Sequence, residues 1–92
     1  MSLAPAKTKA LLNFKKAHSV LGKIIRMTTS GQYCIEVMQQ NLAVIGLLKS
    51  ANQILLEGHL DSCFQKAVTS NNKAKQRAMT EEILRVVHLS NK

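Results

Sequence analysis

Cys34, His59 and Cys63 are the residues in this chain whose types and spacing could do chemistry. His59 and Cys63 stand four apart, so on a helix they share one face and can grip one ion together. Taken singly, each is an ordinary core residue type: free cysteine is often buried, and a lone histidine is more often structural than a ligand. The spacing between them says more. Between Cys34 and His59 runs IEVMQQNLAVIGLLKSANQILLEG, with no proline and little turn chemistry. As one helix it would separate the two residues by about 37 Å, so a single chain cannot close the site.

Two copies of that helix, packed antiparallel about a two-fold axis near Leu47 and Leu48, place position i opposite position 95 − i. Cys34 then faces position 61, midway between His59 and Cys63 of the partner. The result is two identical sites, one at each end of an isologous dimer. Thiolates and imidazole are soft and borderline donors. Two sulfurs and one nitrogen with no obvious fourth ligand match three-coordinate Cu(I). Structural zinc usually takes four ligands. Ni(II) would have to recruit another donor, such as the amino terminus, His18 or His88.

The elements that must position these donors are helices. A first helix is predicted from about Pro5 or Thr8 to Thr28, with an apolar stripe of Leu11, Phe14, Val20 or Leu21, Ile24 or Ile25, and Met27. Thr29-Ser30-Gly31 reads as the break, with Ser30 as a cap for the second helix. That second helix, about 32–67, is apolar around much of its circumference and must touch neighbours on several sides. Gly46 and Gly58 inside it suggest close approach of another backbone. Thr69-Ser70-Asn71-Asn72 is a polar break, and a third helix spans about 73–89. The fold class is therefore all-α: a single domain over 1–92 with a three-helix protomer.

Composition narrows the function. The chain has 92 residues, and hydrophobic residues make up 46% but aromatic residues only 3%, so the core is aliphatic. Stacking on unpaired bases is largely unavailable. A small helical protein of this kind gains stability by oligomerising. Thirteen Lys and Arg against five Asp and Glu give a net charge of +8, which favours duplex nucleic acid as partner ahead of a membrane. Lys15, Lys16, Lys23 and Arg26 on the first helix and Lys49 on the second are the candidate phosphate contacts. No run of 18 apolar residues and no secretory leader are found, so a cytoplasmic protein with reduced thiols is expected. No nucleophile-base-acid set or Gly-rich phosphate loop is present, so an enzyme is not expected.

The run GQYCIEVMQQNLAVIGLLKSANQILLEGHLDSCF resembles the core of the copper-sensitive operon repressor (CsoR) family. Tyr33-Cys34, Val37, Gln40, Ala43-Val44, Leu55-Leu56, His59-Leu60 and Cys63 carry the likeness, which extends from about Phe14 to Phe64. The resemblance implies an antiparallel four-helix-bundle dimer and a dimer of dimers that binds operator DNA when metal-free and releases it on binding Cu(I). It assigns Cys34 of one chain and His59 and Cys63 of the other to copper, and Tyr33 with Glu81 or Glu82 to the surroundings of the ligands. Relatives sensing nickel or cobalt use more histidine and a ligand near the amino terminus, a pattern that Ser2, Leu3 and Cys63 do not fit. Relatives sensing formaldehyde or persulfide generally lack the full triad. The chain departs from the family at Lys16-Ala17-His18-Ser19-Val20-Leu21, where an Arg-Ile-Glu-Gly-Gln-Val stretch is usual, and at Ile45, where many members have Arg. Rival readings keep the fold with Ni(II), Zn(II) or a thiol-reactive signal, or make the chain a copper store or chaperone without DNA binding.

Overall fold

The computed structural model describes residues 4–61 and 65–90, and among them every regular element is helical. The elements are α1 (Pro5–Thr29), α2 (Cys34–His59), α3 (Gln65–Thr69) and α4 (Lys73–Ser90). The chain divides into two compact units, Met1–Leu55 and Leu56–Lys92.

In the first unit, α1 starts at Pro5, whose fixed φ and missing N–H suit a first helical position. The helix ends in a Schellman motif. Gln32 N–H donates to Met27 O at 3.0 Å and Gly31 N–H to Thr28 O at 3.2 Å. Gly31 takes φ +75°, a left-handed conformation that costs glycine nothing. Ser30 is thus the C-cap of α1, its hydroxyl donating to Met27 O at 3.1 Å, and does not cap the next helix as its type suggested. Tyr33 precedes α2, and its carbonyl accepts from Glu36 N–H and Val37 N–H at 3.0 and 3.3 Å.

The two helices meet along a seam that differs from the stripe expected on α1. Ala10, Ala17 and Met27 are buried, with Ala6, Asn13, Val20 and Ile24 half-buried between them, in alternating steps of four and three. On α2 the matching row is Val37, Gln40, Val44, Leu47, Ala51 and Ile54. Two such rows are the pattern of left-handed antiparallel packing. Asn13 Nδ2 donates to Leu47 O at 3.3 Å and fixes the register. Of the expected stripe, Met27 and the alternatives Val20 and Ile24 lie in the seam, whereas Leu11 and Phe14 are exposed, as are Leu21 and Ile25. Small alanines let the backbones come close, and the large side chains lie on the flank beside the seam. Gly46, expected to admit a neighbouring backbone, faces open space.

The long helix expected to reach position 67 stops at His59, and Leu60 and Asp61 continue as a π turn. A separate short helix, α3, comes next. In this second unit Asn71 takes a left-handed φ of 59° and Asn72 caps α4, accepting from Lys75 N–H at 3.1 Å. Gln76 Nε2 donates to Val68 O at 2.8 Å and ties α4 to α3. No residue of α4 is buried: Met79 and Ile83 are half-buried, and Leu84, Val86, Val87 and Leu89 are exposed.

Candidate metal centre

Cys34 is the first residue of α2, a free and exposed thiol on its opening turn. His59 is the last residue of α2 and is half-exposed. Cys63 lies outside the described residues. Among the described residues no three His, Cys, Asp or Glu side chains gather into a metal-sized cluster. The donor chemistry that is described, one accessible thiol and one accessible imidazole, fits a soft or borderline metal better than a hard, oxygen-seeking one.

The surroundings of Cys34 are apolar on one side. Ile35, Met38, Leu42, Ile45 and Leu48 form an uncovered strip on the part of α2 turned away from the seam, with Leu42 65% and Met38 58% exposed. Antiparallel pairing along the seam brings Phe14 and Leu21 of α1 to the same side of the hairpin as Leu48 and Cys34. One continuous apolar flank results, far more than scattered surface residues supply. Tyr33, expected beside the ligands, has its backbone held but its ring 70% exposed. Glu81 and Glu82 are exposed on α4.

The basic residues occupy other surfaces. Lys16 and Lys23 are exposed and stand seven residues apart, and Lys9 extends their row by one more step of seven. That row flanks the seam on the side opposite Leu11, Phe14, Leu21 and Ile25. Lys15 and Arg26 are exposed on the outward side of α1. Lys49 stands apart, exposed on α2 four residues beyond Ile45 and in line with the apolar strip. Lys9 joins the candidate phosphate contacts only with the helix in view; its seven-residue spacing from Lys16 is the sequence signal that points to it.

Residues 6–88 match a family model described as metal-sensitive transcriptional repressor. The chain is similar to the copper-sensing transcriptional repressor CsoR of Mycobacterium ulcerans (strain Agy99), with 44% identity over 66 residues, 72% of this chain and 56% of that protein. It is also similar to the protein of the same name from Mycobacterium bovis (strain BCG / Pasteur 1173P2), with 39% identity over 83 residues, 89% of this chain and 67% of the relative. The Mycobacterium tuberculosis (strain ATCC 25618 / H37Rv) protein matches equally, at 39% over 83 residues. The chain thus spans between about half and two thirds of the length of the relatives it matches.

Proposed function

The chain belongs to the metal-sensitive transcriptional repressor family, a family of regulators and not of enzymes, and from that premise we propose that it is a Cu(I)-responsive repressor acting on operator DNA in the cytoplasm. The observation that carries this reading is the placement of Cys34. It opens α2 as an exposed thiol on the flank where Met38, Ile45 and Leu48 lack cover within the chain.

A second copy packed on that flank buries the apolar strip and brings its own donors to Cys34. Along a continuous α-helix the 25 residues from Cys34 to His59 make about 6.9 turns, so both face the same side. An antiparallel partner would present its His59 to Cys34, with its Cys63 four positions further along the sequence, and the two-fold axis would repeat the arrangement at the other end. These three residues would hold the ion. Copper held there would supply a soft-metal link between neighbouring α2 helices. The exposed apolar residues of α4 provide further surface through which dimers pair into a tetramer.

DNA binding falls to α1. Lys16 and Lys23, with Lys9 in line and Lys15 and Arg26 beside them, give a positively charged face for phosphates. Phosphate contacts fix position more than sequence, so operator choice rests on DNA shape. Ligation that alters the packing of α2 alters the α1 seam as well, because the two helices share it. Lowering operator affinity a hundredfold requires about 2.7 kcal/mol of coupling between the two sites.

A band-shift titration on the operator tests the reading. Cu(I) should release the DNA and Ni(II) and Zn(II) should not. Operator binding unaffected by Cu(I) would refute the allosteric claim, and release by another metal would move the family assignment to a different signal.

A further inference from the structure

Asn41 and Asn52 interrupt the uncovered strip of α2. Cys34, Met38, Asn41, Ile45, Leu48, Asn52 and Leu55 follow one another in alternating steps of four and three, and one more step of four reaches His59. A seven-residue repeat of this kind keeps its members on one face of a helix. Met38, Ile45 and Leu48 are exposed large apolar residues of that face, and both asparagines are exposed among them. The row is symmetric about a point midway between Gly46 and Leu47. Around that point Cys34 mirrors His59, Met38 mirrors Leu55, Asn41 mirrors Asn52 and Ile45 mirrors Leu48. The point lies one residue from the axis between Leu47 and Leu48 that the ligand spacing suggests. A second copy laid antiparallel on this face, with the two-fold axis there, meets apolar residues with apolar residues and amides with amides.

Apolar burial alone does not select this register. Sliding the copy by seven residues keeps the two rows in contact but sets Asn41 against Ile45 in one direction and Asn52 against Leu48 in the other. Either slide buries amides opposite apolar side chains, which is costly, and carries Cys34 away from His59. A primary amide is both donor and acceptor, so two facing asparagines satisfy each other. Asparagine is a poorer helix former than leucine, so α2 itself gains nothing from either residue. Resting on the antiparallel dimer of the proposed function, we propose that Asn41 of each chain pairs through its side-chain amide with the partner's Asn52. The two pairs of a dimer fix the register in which Cys34 of one chain meets the partner's His59. Asn41 and Asn52 are positioning residues: they touch no metal and set where its donors come together.

A double-mutant cycle on the metal-free protein tests the pairing. Asn41→Leu and Asn52→Leu should each raise the dimer dissociation constant about tenfold in sedimentation equilibrium, because each leaves an amide facing leucine. The double variant, with leucine on both sides, should dimerise about as tightly as the wild type. All three variants should remain helical, since leucine is the better helix former. The double variant should nevertheless lose Cu(I) affinity by about tenfold in chelator competition, as when groups that orient metal ligands are removed. Its copies are free to slide, and Cys34 no longer stays at the partner's His59. Single-variant effects that simply add in the double variant overturn the pairing and leave the proposed function standing. A double variant that holds Cu(I) as tightly as the wild type overturns the assignment of the register to the amides. A wild type that stays monomeric, its face left to a different occupant, removes both this inference and the dimer on which it rests.

Discussion

Asn13 Nδ2 donates to the backbone carbonyl of Leu47 across the α1–α2 seam at 3.3 Å. Ala10 and Ala17 of α1 and Val44 and Ala51 of α2 lie along the seam on either side of this bond, and these four are among the most buried of the described residues, Ala10 at 1% and Ala51 at 0% exposure. A polar residue within a largely apolar seam costs stability and fixes alignment. Asn13→Ala should lower unfolding stability by about 1 kcal/mol, the usual net value of one hydrogen bond. Asn13→Leu should unfold no more easily than the wild type but populate more than one register or oligomer. Denaturant unfolding with sedimentation analysis reads both; a neutral Asn13→Ala would mean the bond contributes nothing.

Gly31 and Gly46 should respond in opposite ways to the same substitution. Gly31 holds a positive φ at the end of α1, so Gly31→Ala should destabilise by about 1–2 kcal/mol. Gly46 sits inside α2 with open space where a Cβ would go, so Gly46→Ala should stabilise by up to about 1 kcal/mol. Thermal unfolding distinguishes them. A Gly46→Ala protein that unfolds earlier would show that a partner subunit approaches that face.

The apolar flank should decide assembly. Leu42→Glu or Phe14→Glu places a charge on a surface that the proposed dimer would bury, and either should shift the protein to monomer in sedimentation velocity runs with helicity retained. Copper stoichiometry should fall with the dimer. A charge-bearing variant that stays dimeric would move the interface elsewhere.

Charge on α1 should set the salt dependence of operator binding. Lys16→Ala and Lys23→Ala should each reduce the slope of log affinity against log salt by about one. Lys49→Ala, on the apolar flank of α2, should leave it nearly unchanged. Equal slopes for all three would mean that the row on α1 does not face DNA.

Much of the fold is legible in the sequence, for identifiable reasons. Pro5, Gly31 and the Thr69–Asn72 polar run are strong local signals, and the helices begin and break at them. The choice of buried face on α1 is not legible, because large residues such as Leu11 and Phe14 outweigh Ala10 and Ala17 in any hydropathy reading. The alanines win the seam because two backbones can close over them, which only the pairing of α1 with α2 reveals. The end of α2 is equally hidden: Leu60 and Asp61 carry no breaker, yet the helix changes to a π turn there. The family of the chain is readable from the motif around Cys34, and the match over residues 6–88 agrees with it. The roles of Tyr33, Glu81 and Glu82 depend on surfaces that a partner subunit would have to supply.

Each copper ion is proposed to lie between two chains, and subunit mixing tests that claim most directly. Cys34→Ala and His59→Ala proteins should each fail to bind Cu(I) at the site. A heterodimer of the two retains one unaltered Cys34 and, on the other chain, one unaltered His59 with Cys63. Mixing them should restore one tightly bound Cu(I) per heterodimer, read by competition against a chromogenic chelator. No recovery in heterodimers shown to have formed would contradict a site shared between chains.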